Sequence, residues 1–597
     1  MTHIFLAMLQ FVAWEAAVFV ASVRLSRAFQ ADRWLAILAI DVCIEASVAQ
    51  ALSFAHLNSP ASYWAVAIAL AIYGRLPDLK WPAPGRTAAI MTALATPLIL
   101  LAFRPVDEID SINYLHYLIE WMANRATPYS FATYYVAFWE LSFLPAWTIT
   151  RFDLFFPIVA LKSVVLLALA AWAVGRELEV RREVLAWTVF GAVTMRHYWL
   201  EHSGVATLKN DALHGAGFLL LALLVLRASR RRLEASDIAL FAFGLAFGAV
   251  KYSGIFTGGI AAAIIVWLAR DRRLLWALPL FLLTTGHYYV RSLLQFGNPF
   301  YPFQINLGPL HLPGEADLSY TSILYNLRDP RLWKLLFAPA GGVSPAGILF
   351  PAILAGTLAC AIWRRNWISL LLFSGWLLYF RSVYSASAGH GDLAFLGNSL
   401  NSLRYVDGLL AASEVWLAGL LGAFAVPLVA VNTASRLALL YVRVPFPLIS
   451  ISCLAFGLGA AVYFSRRWAA GVITAALVIG GPLVVQRNRA RWTPYWDEVK
   501  PALDEVRGPD LALFAMDEGS FFAGHIVAAG NPVDPRVRAL LPEEMDALAP
   551  GARPGHLAVL VTPGSDWRPK YAQKLAIWGY KARLETPNGA IFDRNVR

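Results

Sequence analysis

The chain has 597 residues, of which 58% are apolar and only 15% charged, and its mean hydropathy is +0.55. Soluble globular domains carry about 25% charged residues, so this balance excludes a soluble enzyme. The net charge of +11 does not point to nucleic acid, because the basic residues are dispersed in short loops between apolar runs and not gathered into one patch.

Apolar runs of ~17–25 residues are long enough to cross a bilayer as helices. In chain order they lie near 4–23, 34–56, 60–74, 87–103, 153–174, 184–200, 211–226, 236–252, 254–268, 274–290, 343–362 and 367–383. Roughly two to four more fit between 405 and 488, giving about 13–15 transmembrane helices. The first run is too long for a signal peptide and lacks a small-residue cleavage site, so it is expected to stay. Arg24, Arg27 and Arg33, then Arg75, Lys80 and Arg86, Arg176, Arg181 and Arg182, Arg227 with Arg230–Arg232, Arg270, Arg272 and Arg273, and Arg364 and Arg365 fill alternate loops. That alternation is the positive-inside pattern. It predicts an outer N-terminus and outer loops at 57–59, 104–152, 201–210, 291–342 and 384–404 of a multi-pass protein of the inner membrane. Cys43, Cys360 and Cys453 each fall in an apolar run, so neither a disulfide framework nor a zinc site is indicated. There is no P-loop, no HExxH and no glycine-rich dinucleotide fingerprint.

Three outer loops are long: 104–152, 291–342 and 384–404. The first opens on Asp107, Glu108 and Asp110 just beyond an apolar run. Carboxylates there can deprotonate a hydroxyl, hold a divalent cation through oxygen ligands, or sit solvated in water. Ile112, Leu115, Ile119 and Met122 follow at helical spacing, with Asn113, His116 and Glu120 off that face, which predicts an interfacial helix over 111–123. Thr133–Trp147, rich in aromatics, reads as a second interfacial helix or a shallow re-entrant segment.

Further polar residues fall on the same predicted side. Lys209 and Asp211 bracket Asn210 in the loop after Arg196, His197, Glu201 and His202; an ordinary surface pair is an equal reading. Lys251 opens Lys-Tyr-Ser-Gly at the end of a span, where a lysine can also snorkel to the headgroups. Arg291 leads into Gly297-Asn298-Pro299, which cannot be helical throughout because proline restricts the residue before it. Arg404 and Tyr405 stand where the third long loop re-enters the bilayer. Together Lys209, Lys251, Arg291 and Arg404 offer cations on the side that positive-inside statistics deplete, and such groups suit a phosphate. Glu15, Asp41, Glu45 and Glu414 lie inside spans. Intramembrane carboxylates are functional candidates by default, and pairing between helices is the blander reading.

After about residue 488 the chain turns polar behind Arg487, Arg489 and Arg491. Helices at Tyr495–Val506 and Trp567–Ala582 and strands at Leu511–Met516, Leu557–Thr562 and Ala590–Asp593 predict a soluble α/β domain over 490–597, large enough for its own core. Its predicted side is the outer one, and 1–489 forms the membrane domain.

The acidic turn followed by outer cations resembles the GT-C superfamily of integral-membrane glycosyltransferases, in its protein-mannosyltransferase and aminoarabinose-transferase branch. The resemblance spans roughly 87–425 and rests on Asp107-Glu108 with the helix after it, Lys209-Asn210-Asp211, Lys251 to Gly254, Gly297 to Pro302, Gly341 to Gly347, and Arg404-Tyr405. This chain departs in placing three spans before the one that leads into the acidic loop. The resemblance implies an inverting glycosyltransferase that takes a sugar from a polyprenyl-phosphate donor and passes it to an acceptor on the outer, periplasmic face. It implies catalytic roles for Asp107, Glu108 and Asp211, donor-phosphate contacts from Arg404, Lys209, Arg291, Lys251 and Tyr405, and substrate contacts from Asp110, Tyr114, His116 and Tyr301. These residues name no certain cofactor, and a divalent cation stays open. The alternative is a lipid or oligosaccharide transporter that uses the intramembrane carboxylates; inverted repeats, which favour transporters, are not seen.

Overall fold

The computed structural model describes residues 2–30, 32–74, 86–102, 114, 118, 121, 136–150, 155–199, 205, 207–301, 303–307, 310–314, 322–337, 346–382, 403–441, 511–514, 538–540, 542–560, 568–586 and 589–594. Helices dominate. They are α1 (Thr2–Leu25), α2 (Arg33–Phe54), α3 (Pro60–Gly74), α4 (Arg86–Ala102), α5 (Leu144–Thr150), α6 (Phe156–Glu177), α7 (Arg182–Val193) and the single turn α8 (Arg196–Trp199). Then come α9 (Asp211–Arg230), α10 (Ala235–Gly248), α11 (Tyr252–Ala269), α12 (Ala277–Phe281), α13 (His287–Phe296), α14 (Pro330–Phe337), α15 (Phe350–Arg364), α16 (Trp367–Arg381), α17 (Asp407–Leu421) and α18 (Ala425–Tyr441). Among the described residues six helical stretches are long and apolar enough to cross a membrane, and five shorter apolar helices accompany them.

The expected spans match these helices closely, with two corrections. The span expected over 184–200 breaks after Val193, where the Thr194 hydroxyl donates back to the Phe190 carbonyl at 2.9 Å, and restarts as α8. The span expected over 274–290 is one continuous helical run whose winding changes along it: a 3₁₀ turn (Arg272–Trp276), α12, a π-turn (Leu282–Gly286) and α13. Apolarity alone registers neither the break nor the change of winding, since both lie in runs as hydrophobic as any other.

α9 is the axis of the bundle. It is buried from Asp211 through Arg227 and packs against α6, α10, α11 and α17. Its neighbours come close because glycines face each other. A Cβ at Gly408 of α17 would meet the backbone of Gly215, and one at Gly217 would meet the backbone of Gly248. Small residues at such crossings permit the van der Waals contact that holds helices together in lipid. Gly408→Ala is therefore expected to cost about 1–3 kcal/mol and to displace the start of α17, read as a lower melting midpoint in detergent; an unchanged midpoint would refute this packing.

Charges at the other end of α9 form a tight lock. The Arg227 guanidinium donates to Asp32 at 2.5 Å and Asp237 at 2.7 Å, while Arg176 reaches Asp32 at 2.5 Å. Asp237 also accepts from the Glu234 amide, the return arm of a capping box that starts α10. Gly422, in an unusual positive-φ conformation, separates α17 from α18. Glu414 of α17 pairs with Arg436 of α18, so the chain doubles back there as a helical hairpin.

The segment Thr133–Trp147 differs from a surface-lying helix. Residues 136–150, a 3₁₀ turn (Glu140–Phe143) followed by α5, are buried throughout, packed against α1 and α2. Its aromatics face protein and not headgroups: Trp147 and Phe143 each meet Phe156 edge-on. Of the expected 111–123 helix only Tyr114, Leu118 and Trp121 are described; Leu118 and Trp121 are buried. The Trp121 carbonyl accepts from Ser53 at 3.0 Å and Asn58 at 2.8 Å, beyond the end of α2. The stripe Ile112, Leu115, Ile119 and Met122 lies outside the described residues.

Two short strands, β1 (Ile305–Leu307) and β2 (Leu310–Leu312), pair antiparallel. Near the carboxyl end a five-stranded sheet has the order β4-β3-β5-β7-β6, from β3 (Leu511–Phe514), β4 (Arg538–Leu540), β5 (His556–Leu560), β6 (Tyr580–Thr586) and β7 (Gly589–Arg594). β3 pairs in parallel with β4 and β5, and β7 antiparallel with β5 and β6. Helices α19 (Pro542–Ala547) and α20 (Arg568–Ile577) join it, and Met545, Leu557, Val559, Leu575, Trp578 and Phe592 make its core. The helix expected to run to Ala582 stops at Ile577. Gly579 takes φ +87°, a left-handed cap that only glycine adopts cheaply, and the chain re-enters as β6. The expected helix Tyr495–Val506 lies outside the described residues.

Candidate functional site

The polar residues around the start of α9 form one cluster. Asp211 is the first residue of α9 and fully buried. Carboxylates are stabilised there by the positive end of the helix dipole. Lys251 precedes α11 in extended conformation (φ −125°, ψ 146°). That geometry lets its side chain cross to Asp211, with which it forms an ion pair. The same ammonium lies 4.5 Å from the ring centre of Tyr405, a cation–π contact. Lys251 is therefore held in the protein and does not snorkel. Tyr405 belongs to the 3₁₀ turn Arg404–Val406 that begins α17.

Asn210, the residue before α9, ties three segments together. Its amide donates to the Val250 carbonyl at 3.1 Å and to the Glu140 Oε1 at 3.4 Å. Glu140 is buried in its 3₁₀ turn, and its Oε2 finds no partner among the described residues. Burial pushes the Glu140 carboxyl up to about 8; its own backbone amide and the Lys251 charge pull less strongly the other way. Lys209, one residue earlier, is buried as well.

Beside this cluster the Gly297-Asn298-Pro299 turn is non-helical, as expected. Gly297 takes φ +67°, and Asn298 donates to the carbonyls of Phe303 at 2.8 Å and Pro313 at 2.7 Å. The turn brings Tyr301, stacked on Phe296, to the Tyr252 hydroxyl, which donates to the Tyr301 carbonyl at 2.9 Å. The Arg291 guanidinium lies 5.3 Å from the ring centre of Tyr288. On the other flank His197 of α8 meets Asp407, the first residue of α17, at 3.0 Å, with both side chains buried. Deeper still, Arg436 is fully buried, bidentate to Glu414, and donates to the Ala346 carbonyl at 2.8 Å.

Asp211, Lys251 and Tyr405 are thus in contact, Lys209 adjoins them in sequence, and Tyr301 connects through Tyr252. Tyr114 is half-buried against the core. Asp107, Glu108, Asp110 and His116 lie outside the described residues, as does the Arg404 side chain, although its backbone opens the turn that carries Tyr405. The residue pattern gives no role to Glu140 or Asn210 and does not join His197 to Asp407. An acidic residue alone in an aromatic run was the available signal for Glu140.

The intramembrane carboxylates have a different fate. The Lys162 ammonium of α6 reaches Glu15 at 2.6 Å, Asp41 at 2.7 Å and Glu45 at 2.9 Å, and the Trp14 indole donates to Glu45 at 3.4 Å. Oxygens of the three carboxylates lie within 4.8 Å of one another, a spacing that suits a cation. The lysine is that cation. These groups bind α1, α2 and α6 together, the interhelical pairing that the bland reading expected.

No family model matches the chain, and no curated protein matches it. Two solved structures are similar in fold, those of ArnT from Cupriavidus metallidurans bound to undecaprenyl phosphate and in the apo state. Each is 14% identical and covers 84% of this chain; the matches take in 97% and 96% of those chains, with TM-scores of 0.41 and 0.39. The functional reading therefore rests on the residues of the cluster.

Proposed function

We propose that the protein is an inverting membrane glycosyltransferase that moves a sugar from a polyprenyl-phosphate donor to an acceptor on the outer, periplasmic side of the inner membrane. The observation that carries this reading is the Lys251–Asp211 pair at the start of α9, backed by the Tyr405 ring. A cation fixed by a buried carboxylate and an aromatic face is ready for an anion before the ligand arrives, and preorganised charge stabilises a leaving phosphate better than water does. In the proposed reaction Asp107 takes the proton of an acceptor hydroxyl as that oxygen attacks the anomeric carbon. The bond from carbon to phosphate oxygen breaks on the opposite side, and the lipid phosphate leaves with the electron pair. Lys251, Lys209, Arg291 and Arg404 neutralise it; Glu108 positions the acceptor or a divalent cation. The transporter alternative lacks an observation of its own, since Asp41 and Glu45 are committed to Lys162.

The test is transfer from polyprenyl-phosphate sugars by the purified protein, with acceptor products identified by mass spectrometry. Lys251→Ala and Arg404→Ala are each expected to lower turnover roughly tenfold or more, and Arg404→Lys to recover part, because lysine lacks the bidentate fork. Normal turnover in Ala variants of all four cations would remove the phosphate site from this cluster.

A further inference from the structure

Glu140 is used by nothing described so far. It sits in a 3₁₀ turn buried under α2 and α6, 1% exposed, with Oε1 taken by the Asn210 amide at 3.4 Å and Oε2 buried without a partner among the described residues. Asn210 donates to Oε1, so Oε1 must be an acceptor, and any proton on this carboxyl belongs on Oε2. A buried O–H with nothing to bond to is costly. A bound anion would supply the acceptor.

The charges around it favour the protonated form. Lys251 is the nearby cation, and it is already paired with Asp211. Asp407 and His197 pair with each other. α2 and α6, which pack on the same turn, contribute Asp41, Glu45 and Lys162, closed into their own cluster. Arg291 lies against Tyr288, a residue that the Glu140 charge also reaches. Lys209 is buried one residue before Asn210, and burial outweighs the pull of Lys251, raising the Glu140 carboxyl to about 8. Carboxylic acids kept neutral by their surroundings serve as strong hydrogen-bond donors in other sites.

We infer that Glu140 is a further binding residue of this site, acting as an uncharged acid whose Oε2–H donates to an anionic oxygen of the bound lipid phosphate. The inference rests on the transferase reading for the identity of the anion. It implies that binding weakens as pH rises. Above the Glu140 pKa the donor is lost and a negative charge appears next to the phosphate, whose own second ionisation, near 6, is already complete.

The measurement is the affinity of the full-length protein, in lipid nanodiscs, for undecaprenyl phosphate between about pH 7 and pH 9, for the wild type and Glu140→Gln. The wild type should lose roughly tenfold in affinity across this window, since one added like charge shifts such equilibria by about a pK unit. Glu140→Gln, which keeps a donor and cannot ionise, should bind with little change across it. Infrared spectra of the wild type give an independent readout should the variant not fold: a protonated-carboxyl band should shift when undecaprenyl phosphate is added at neutral pH and bleach as pH rises. A pH-independent wild-type affinity, an equal decline in Glu140→Gln, or a band that ignores the ligand would overturn the role of Glu140. Wild-type protein that binds no undecaprenyl phosphate at any pH would instead overturn the transferase reading beneath it.

Discussion

Arg436→Met is expected to destabilise the helical bundle by ~3–5 kcal/mol, the cost of stripping one partner from a buried ion pair. Arg436 is wholly buried, and its guanidinium spends both terminal nitrogens on Glu414 and its Nε on the Ala346 carbonyl. Without it Glu414 keeps, among the described residues, the Asn432 amide at 3.5 Å. The double variant Arg436→Met with Glu414→Leu should recover most of the loss, because removing both charges also removes their desolvation. Reversible unfolding in mixed micelles reads both. A single variant within about 1 kcal/mol of wild type would mean that the pair behaves as a solvated surface bridge.

The second large effect falls on turnover. If Asp107 is the base of the proposed reaction, Asp107→Asn should reduce the transfer rate by about 10²–10⁴, the usual worth of a positioned general base, while the melting midpoint stays unchanged. Single-turnover transfer from a polyprenyl-phosphate sugar separates this from binding: donor affinity should hold while the chemical step fails. Retention of a sizeable fraction of the rate would leave the proton to another group. Asp211 is the poorer candidate for that role, because its carboxylate is bound to Lys251.

Much of this was legible in the residues. The apolar runs locate nearly every described helix to within a few positions, because a bilayer demands length and greasiness, and composition records both. Punctuation was less visible. The break at Thr194 and the change of winding at Leu282–Gly286 depend on local backbone hydrogen bonding, which apolarity does not encode. The expected helix Trp567–Ala582 overruns the first residues of the strand Tyr580–Thr586, because Gly579, a single residue, decides where α20 stops. Lys251, Asp211 and Tyr405 were each singled out on their own.

What the sequence determined by itself is the class of protein and the residue types available for chemistry: a multi-pass helical chain with scarce, unusually placed charges. Partnership was decided only in three dimensions. Lys251 joins Asp211 across 40 positions of chain, Lys162 gathers Asp41 from 121 positions away, and Arg436 answers Glu414 across the bend at Gly422. The reason is physical. Hydrophobicity is a property of each residue and adds along the chain, whereas the fate of a buried charge depends on which opposite charge the packing of other helices brings within about 3 Å. The closeness of those helices is set in turn by pairs of glycines, Gly215 with Gly408 and Gly217 with Gly248, whose facing one another no linear pattern reveals.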